Sequence, residues 1–267
     1  MSEVNIPSIP DLGSRSDEIT IFAGPCSVES VEQFDEVAEC VAGLGLKWIR
    51  GGAFKPRTNP HSFQGLGEEA LKIMRDAGER HGLKTLTEVM DSAHCELVHS
   101  YVDGLQVGAR NFQNFSLLKK IGQVTATSHK MVLYKRGFAG TIAEWLAATD
   151  YLTAEGNDNV VLCERGIRTF EKMIRNNLDL SAVPLVKMFS HLPIIIDPSH
   201  AAGRRDMVQP LSRAAIAAGA DGLIIEAHND PKHALCDGAQ SLDLDQFDHV
   251  MSDIKRRAEF EGRVMMP

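Results

Sequence analysis

The sequence predicts an α/β fold of the (β/α)8 class, a TIM barrel forming a single domain with a short N-terminal leader. Eight short apolar runs alternate with longer segments whose apolar residues recur at helical spacing. The pattern fills about 250 residues of the 267-residue chain, which is the usual size of this fold. The competing architecture is an open, doubly wound sheet. The count of eight and the lack of a GxGxxG turn favour the barrel.

The predicted strands are short and almost continuously apolar, as expected for parallel strands covered on both faces. In chain order they are ITIFAG (19–24), LKWIR (46–50), LKTLTEV (83–89), DGLQVGA (103–109), MVLYK (131–135), NVVLC (159–163), LPIIID (192–197) and ADGLIIE (220–226). We assign residues 1–18 to the polar leader and residues 19–267 to the barrel.

A helix is predicted after each strand, because the intervening segments show the 3.6-residue periodicity of an amphipathic helix. The predicted helices cover residues 30–45, 66–81, 91–100, 115–121, 141–155, a segment reaching to 190, 207–218 and 243–258. Residues 122–130 leave open whether the preceding helix continues or a loop begins.

Composition narrows the class of partner. The net charge of −8 disfavours nucleic acid and anionic membranes as main partners, because both attract basic surfaces. No apolar run reaches the roughly 18 residues that a bilayer requires, and the polar N-terminus does not resemble a signal peptide. We therefore expect a cytoplasmic protein. Its five scattered cysteines are expected to be buried thiols or metal ligands.

Chemistry in this fold lies at the carboxyl ends of the strands. Cys26 follows strand 1, His200 follows strand 7, and Glu226 ends strand 8, which is followed by a loop that carries Asp237. Strands 8 and 1 are neighbours in a closed barrel, so these four side chains can converge. A thiolate, an imidazole and two carboxylates suit Zn, Fe, Co or Mn better than Mg or Ca.

A second group at the same end is cationic. Six cations follow strands 2, 4, 5 and 6, namely Arg50, Lys55, Arg57, Arg110, Lys135 and Arg165. Arginine matches phosphate and carboxylate oxygens with its forked donors, and lysine adds a point charge. The group predicts a site for two phosphates and a carboxylate. Each residue alone has an ordinary structural explanation, and their joint placement at the catalytic face favours a site.

At these residues the chain resembles the 3-deoxy-D-arabino-heptulosonate 7-phosphate (DAHP) synthases, in their short type I-beta form without a regulatory domain. The resemblance covers roughly residues 18–250. The motifs that carry it are GPCSVES (24–30), IRGGAFKPRT (49–58), SFQGLG (62–67), QVGARNFQN (106–114), KRG (135–137), ERG (164–166), IDPSHAAGRRD (196–206), IIEAH (224–228) and DGAQSL (237–242).

The resemblance implies condensation of phosphoenolpyruvate with erythrose 4-phosphate at the entry to the shikimate pathway, in a homo-oligomer. It implies a divalent metal held by Cys26, His200, Glu226 and Asp237. It also implies substrate contacts from Arg50, Lys55, Arg57, Thr58, Ala109, Arg110, Lys135 and Arg165. Lys55, His200 and Cys26 are the expected catalytic residues. Nearby cations and metal should lower the pKa of Lys55, which would suit a proton donor.

Two alternatives stay open. The sister reaction joins phosphoenolpyruvate to arabinose 5-phosphate, and the KPRT segment at 55–58 argues against it because the sister family carries a KANRS-type segment there. A catalytically silent barrel that serves as a partner for a chorismate mutase is disfavoured by the complete metal and cation sets. Two departures from the family pattern are Asn59 with His61, and the stretch at 125–134.

Overall fold

A computed structural model describes residues 17–55, 59 and 61–265. Eight parallel strands form the barrel, and a short ninth strand is added at its amino end. They are Glu18–Gly24 (β1), Trp48–Arg50 (β2), Lys84–Glu88 (β3), Gly104–Val107 (β4), Met131–Lys135 (β5), Val160–Glu164 (β6), Ile194–Ile196 (β7), Gly222–Glu226 (β8) and Val264–Met265 (β9).

The α-helices lie in the connections and after the last barrel strand. They are Val31–Gly43 (α1), Glu68–His81 (α2), Cys95–Tyr101 (α3), Phe115–Thr125 (α4), Ile142–Thr153 (α5), Ala182–Phe189 (α6), Pro198–Ala202 (α7), Val208–Ala217 (α8) and Leu244–Phe260 (α9). Among the described residues, no helix has both the length and the apolar composition that crossing a bilayer requires.

The barrel closes in sequence order, from β2 through β8 to β1 and back to β2. Strand β1 closes the barrel by pairing with two strands. Its Gly24 lies opposite Glu226 of β8, and its Ala23 lies opposite Ile49 of β2. This closure confirms the (β/α)8 prediction. It also brings the residues after β1 beside the carboxyl end of β8.

Two apolar layers stabilise the barrel because successive strand side chains point to opposite faces. Inside lies a buried cluster that includes Phe22, Trp48 and Leu86, and this filling makes the barrel a packed core with no pore. Between strands and helices lies the larger cluster, to which Ile21, Ala23 and the inner faces of the helices contribute.

The helix predicted after β6 begins later in the chain than its periodicity indicated. The segment after β6 was expected to be helical up to residue 190, but helix α6 begins only at Ala182. The preceding loop is fixed by backbone pairing of Ile167 with Asn177 and by the buried carboxylate of Glu164, which accepts hydrogen bonds from the Gly166 and Asp179 amides. These contacts hold an irregular path where periodicity suggested a helix.

Three further details emerge only from the structure. Helix α4 continues to Thr125, and a turn then leads to β5, which pairs regularly with β4 and β6 despite the unusual 125–134 stretch. A five-residue helix, α7, follows β7 directly. The short β9 pairs with the start of β1 through Glu18 and Ile19. Residues 1–16, most of the predicted leader, lie outside the described residues.

Candidate active site

The four predicted metal ligands converge at the carboxyl end of the barrel. Cys26 lies two residues beyond β1, His200 belongs to α7, Glu226 ends β8, and Asp237 comes from the loop after β8. Their ligand atoms all lie within 4.8 Å of one another. Gly24 makes the approach of β1 and β2 possible, since a Cβ there would lie 2.1 Å from the Arg50 carbonyl oxygen.

The distances suit a metal ion. Bond lengths of about 2.0–2.3 Å place tetrahedral ligand atoms roughly 3.3–3.8 Å apart. Cys26 Sγ lies 3.4 Å from Asp237 Oδ2. His200 Nε2 lies 3.1 Å from Glu226 Oε1 and 4.0 Å from Asp237 Oδ2. One of these spacings lies in the expected range and the other two lie about 0.2 Å outside it. The donor types fit a divalent transition metal with mixed soft and hard ligands.

Buried charges surround His200. Its Nδ1 lies 2.8 Å from Asp197 Oδ2, and its Nε2 faces Glu226. Burial would lower the pKa of His200, but the carboxylates of Asp197 and Glu226 outweigh this effect and raise it to about 10. In turn, burial would raise the pKa of Glu226, but His200 and Arg50 hold it well below its ordinary range. A metal must displace a proton from His200 Nε2 in order to bind there.

Lys55 lies against the thiol ligand. Its Nζ donates to the Cys26 carbonyl at 2.9 Å and lies 3.0 Å from Cys26 Sγ. The expected fall in its pKa is wrong when the protein groups alone are considered. Burial does lower the pKa of Lys55, but the sulfurs of Cys26 and Cys236 outweigh burial and raise it. The electrostatic reason is that Lys55 Nζ lies 3.0 Å from Cys26 Sγ, so the ammonium is stabilised by the sulfur once the thiol has lost its proton.

Cys236 is a neighbour that the sequence counted only among the scattered cysteines. Its sulfur lies 3.3 Å from Cys26 Sγ. This contact, together with burial and the charge of Glu226, raises the pKa of the Cys26 thiol well above its ordinary value, which Lys55 partly opposes. A bound metal ion would reverse this balance, because coordination deprotonates a thiol.

A cavity of about 480 Å³ opens beside the four ligands. Arg50, Lys135 and Arg165 reach it as cations that are at least 95% buried, whereas Arg110 is exposed at the rim. The remaining lining includes the predicted Lys55 and Ala109. Buried cations of this kind bind anions strongly, because water screens them little. Arg57 and Thr58 lie outside the described residues.

Several further cavity residues were missed. Arg168, Arg175 and Asn176 line it from the loop that the sequence predicted as helix. Arg175 also pairs with Asp237, its Nη2 lying 3.0 Å from Oδ1. The sequence does show two arginines after the ERG motif at 164–166. They were missed because a helix over this segment would point their side chains in different directions.

Asp197 and Gln240 complete the surroundings of the ligands. Asp197 stands in the IDPSHAAGRRD motif and caps α7 by accepting the His200 amide at 2.9 Å. It also lies 2.6 Å from Lys135 Nζ. Gln240 donates to Glu226. Both residues stand inside recognised motifs, although only the folded chain shows their partners.

Comparison with known proteins gives a consistent result. The family model described as "DAHP synthetase I family" matches residues 12–259. A relative from Thermotoga maritima, named phospho-2-dehydro-3-deoxyheptonate aldolase, is 49% identical over 97% of this chain and 76% of its own length. One from Koribacter versatilis, named 2-dehydro-3-deoxyphosphooctonate aldolase, is 30% identical over 94% of this chain and 95% of its own.

Solved structures agree with the sequence relatives. The crystal structure of the Thermotoga maritima DAHP synthase superposes with a TM-score of 0.90 at 51% identity, covering 93% of this chain and 72% of that one. A truncated form of the same organism's enzyme superposes with a TM-score of 0.86 at 47% identity, covering 93% and 90%. The backbone fold of this chain is therefore similar to that of the Thermotoga maritima DAHP synthase over 93% of its length.

Proposed function

Because this chain belongs to the DAHP synthetase I family, we propose that it condenses phosphoenolpyruvate with erythrose 4-phosphate to give DAHP and inorganic phosphate. The observation that carries the proposal is the set of metal-binding side chains beside a cation-lined cavity. This is a transferase reaction and supplies the shikimate pathway to aromatic amino acids. The relative named for the seven-carbon product is also far more similar than the relative named for the eight-carbon product.

The cationic residues hold two anions that repel each other in solution. Arg50, Lys135 and Arg165 are buried cations that line the cavity, and we assign them to phosphoenolpyruvate. Ala109 and the exposed Arg110 also line the cavity, and we assign them to the same subsite. Arg57 and Thr58 are assigned to the sugar phosphate on the family pattern. Fixing both substrates converts an unfavourable encounter into a reaction within one complex.

In the reaction, C3 of phosphoenolpyruvate forms a bond to the aldehyde carbon, and the aldehyde oxygen takes up a proton. Water then adds to C2, and phosphate leaves by cleavage of the C2–O bond. The metal, when bound, supplies Lewis acidity to the aldehyde. Lys55 lies 3.0 Å from Cys26 Sγ, and we assign to it the delivery of the proton to the developing alkoxide. Cys26 and His200 contribute to catalysis by holding the metal.

An assay with two aldoses tests the reaction. Phosphoenolpyruvate consumption and phosphate release are followed with erythrose 4-phosphate and with arabinose 5-phosphate as acceptor. The proposal expects a far larger kcat/KM with the four-carbon sugar. Preference for arabinose 5-phosphate would assign the sister reaction instead, and no consumption with either sugar would point to a silent barrel.

For the cofactor, we propose Mn, Co, Fe or Zn bound by Cys26, His200, Glu226 and Asp237, since the mixed ligand set suits these ions. Protein treated with a chelator should be inactive, and one of these ions should restore turnover, whereas Mg or Ca should restore little. Full turnover without any divalent ion would contradict the proposed role of the metal.

Assembly, location and domain limits are further proposals that follow the family pattern. We propose a homo-oligomer, a dimer or a tetramer, in the cytoplasm, with residues 19–267 as the catalytic barrel. Light scattering at micromolar concentration should give a mass of two or four chains of 29.3 kDa. A monomer mass would contradict the proposed assembly but would not affect the proposed reaction.

A further inference from the structure

Asp197 connects the metal ligands to the cation-lined cavity. Its side chain is completely buried. Oδ2 lies 2.8 Å from His200 Nδ1 and 2.6 Å from Lys135 Nζ. His200 presents its other nitrogen to Glu226 within the metal cluster, and Lys135 lines the cavity. A single carboxylate oxygen therefore faces one group from each subsite.

The contact with His200 determines which imidazole nitrogen is free for a metal. A carboxylate only accepts hydrogen bonds, and the negative charge of Oδ2 at 2.8 Å favours the proton of a neutral imidazole on Nδ1. The ring N–H is not directed at this oxygen, since Nδ1 has no hydrogen-bond partner among the described residues, so the effect in this structure is electrostatic. The lone pair is then on Nε2, which lies among the other ligand atoms. Carboxylates that accept the second ring N–H of a ligand histidine contribute substantially to metal affinity in proteins generally, and Oδ2 at 2.8 Å is close enough to accept that bond when the ring turns toward it.

The contact with Lys135 determines where its ammonium lies. An ammonium has three donors, and the short contact with Asp197 uses one of them. The Lys135 side chain is 5% exposed, so its charge is held in place and partly compensated while the remaining donors are available to an anion. Without Asp197 this buried ammonium would have to find another acceptor or move.

We propose that Asp197 is a positioning residue shared by the two subsites, which fixes the His200 tautomer for the metal and the Lys135 ammonium for phosphoenolpyruvate. The inference rests on the proposed function for the identity of the anion. The metal half of it does not, since it concerns only the ligand set.

The test is Asp197→Asn. Asparagine retains an oxygen that can accept the His200 amide, so the cap of α7 survives. It turns a donor group toward His200 Nδ1 and Lys135 Nζ, which stabilises the imidazole proton on Nε2 and blocks the ligand atom. The dissociation constant of zinc, measured by competition with a fluorescent chelator in the absence of substrates, should rise roughly 10–100-fold. The KM for phosphoenolpyruvate should rise about tenfold, as expected for loss of one charge-assisted contact.

Two variants separate positioning from general damage. Asp253→Asn makes the same chemical change at a buried carboxylate between α8 and α9, and its zinc affinity should equal that of the wild type. Lys135→Met should raise the KM for phosphoenolpyruvate but leave zinc affinity within about twofold, because the contact between Asp197 and His200 remains. Nitrogen-15 NMR of the zinc-loaded wild type should show His200 protonated on Nδ1, which tests the tautomer even if Asp197→Asn does not fold.

Unchanged zinc affinity in folded Asp197→Asn would overturn the proposal, as would an equal loss in Lys135→Met or Asp253→Asn. Protonation of His200 on Nε2 in the zinc-loaded wild type would also overturn it. These outcomes differ from failure of the proposed function, which would appear as a wild type that binds zinc normally but does not consume phosphoenolpyruvate.

Discussion

Replacing Lys55 by methionine removes an ammonium that lies 3.0 Å from Cys26 Sγ while keeping a side chain of similar length. If Lys55 delivers the proton to the alkoxide, kcat should fall roughly 10²–10⁴-fold, the usual contribution of general acid catalysis. Metal affinity should be nearly unchanged, because an ammonium cannot be a ligand and its attraction to the thiolate is opposed by its repulsion of the metal ion.

Steady-state kinetics at saturating metal measure the loss of the proton donor alone, since excess metal keeps the site occupied. Lys130→Met is the matched control. Lys130 is another partly buried lysine, whose Nζ donates to the His99 and Val102 carbonyls at 2.7 Å, and its loss should leave kcat unchanged. A loss in Lys55→Met of less than about tenfold, confined to KM, would show that Lys55 only binds substrate.

Lys55→Arg distinguishes charge from proton transfer. Arginine keeps the positive charge but does not readily release a proton. The lysine stem packs closely against Gly52, where a Cβ would lie 2.6 Å from Lys55 Cδ, so the longer side chain also has to shift. Near-normal turnover in Lys55→Arg would refute the proton-donor role and leave only an electrostatic one.

Two further predictions concern packing and an ion pair. Gly108→Ala places a Cβ 2.0 Å from Glu88 Oε1 in the cavity wall, so the KM for phosphoenolpyruvate should rise about tenfold, which corresponds to roughly 1.4 kcal/mol. The control is Gly43→Ala, where no atom lies within 4 Å of the new Cβ; it should leave the kinetics unchanged and stabilise the fold by about 0.5–1 kcal/mol. Equal KM values in the two variants would contradict the steric argument. The hydrogen bond from Arg213 lowers the pKa of Asp253, so its stabilisation is present above the unfolded pKa of about 3.9 and disappears as pH falls through the lower folded value. Urea unfolding of Asp253→Asn should therefore show a loss of about 1 kcal/mol at pH 7 that shrinks below about pH 4, and a loss independent of pH would contradict the linkage.

The order of strands and helices was predictable because it follows from local patterns. Buried parallel strands require nearly continuous apolar runs, and helices that cover them require a 3.6-residue period. The β5 run, Met131–Lys135, was placed with its observed limits. The loop from 165 to 181 was not, because its path depends on the buried Glu164 carboxylate and on pairing between Ile167 and Asn177. Contacts between residues that are distant in the chain do not produce a periodic pattern in the sequence.

The sequence by itself determined the fold class, the family pattern and the residue types at the strand ends, since these depend on local periodicity and on motifs that can be read directly. Only the tertiary structure decided which side chains meet. The closure of β8 on β1 brings Cys26 to Glu226, and Asp197 acquires two partners from different elements. The raised pKa of Lys55 is also a property that only the tertiary structure decided, because a pKa depends on distances between charged groups that lie far apart along the chain.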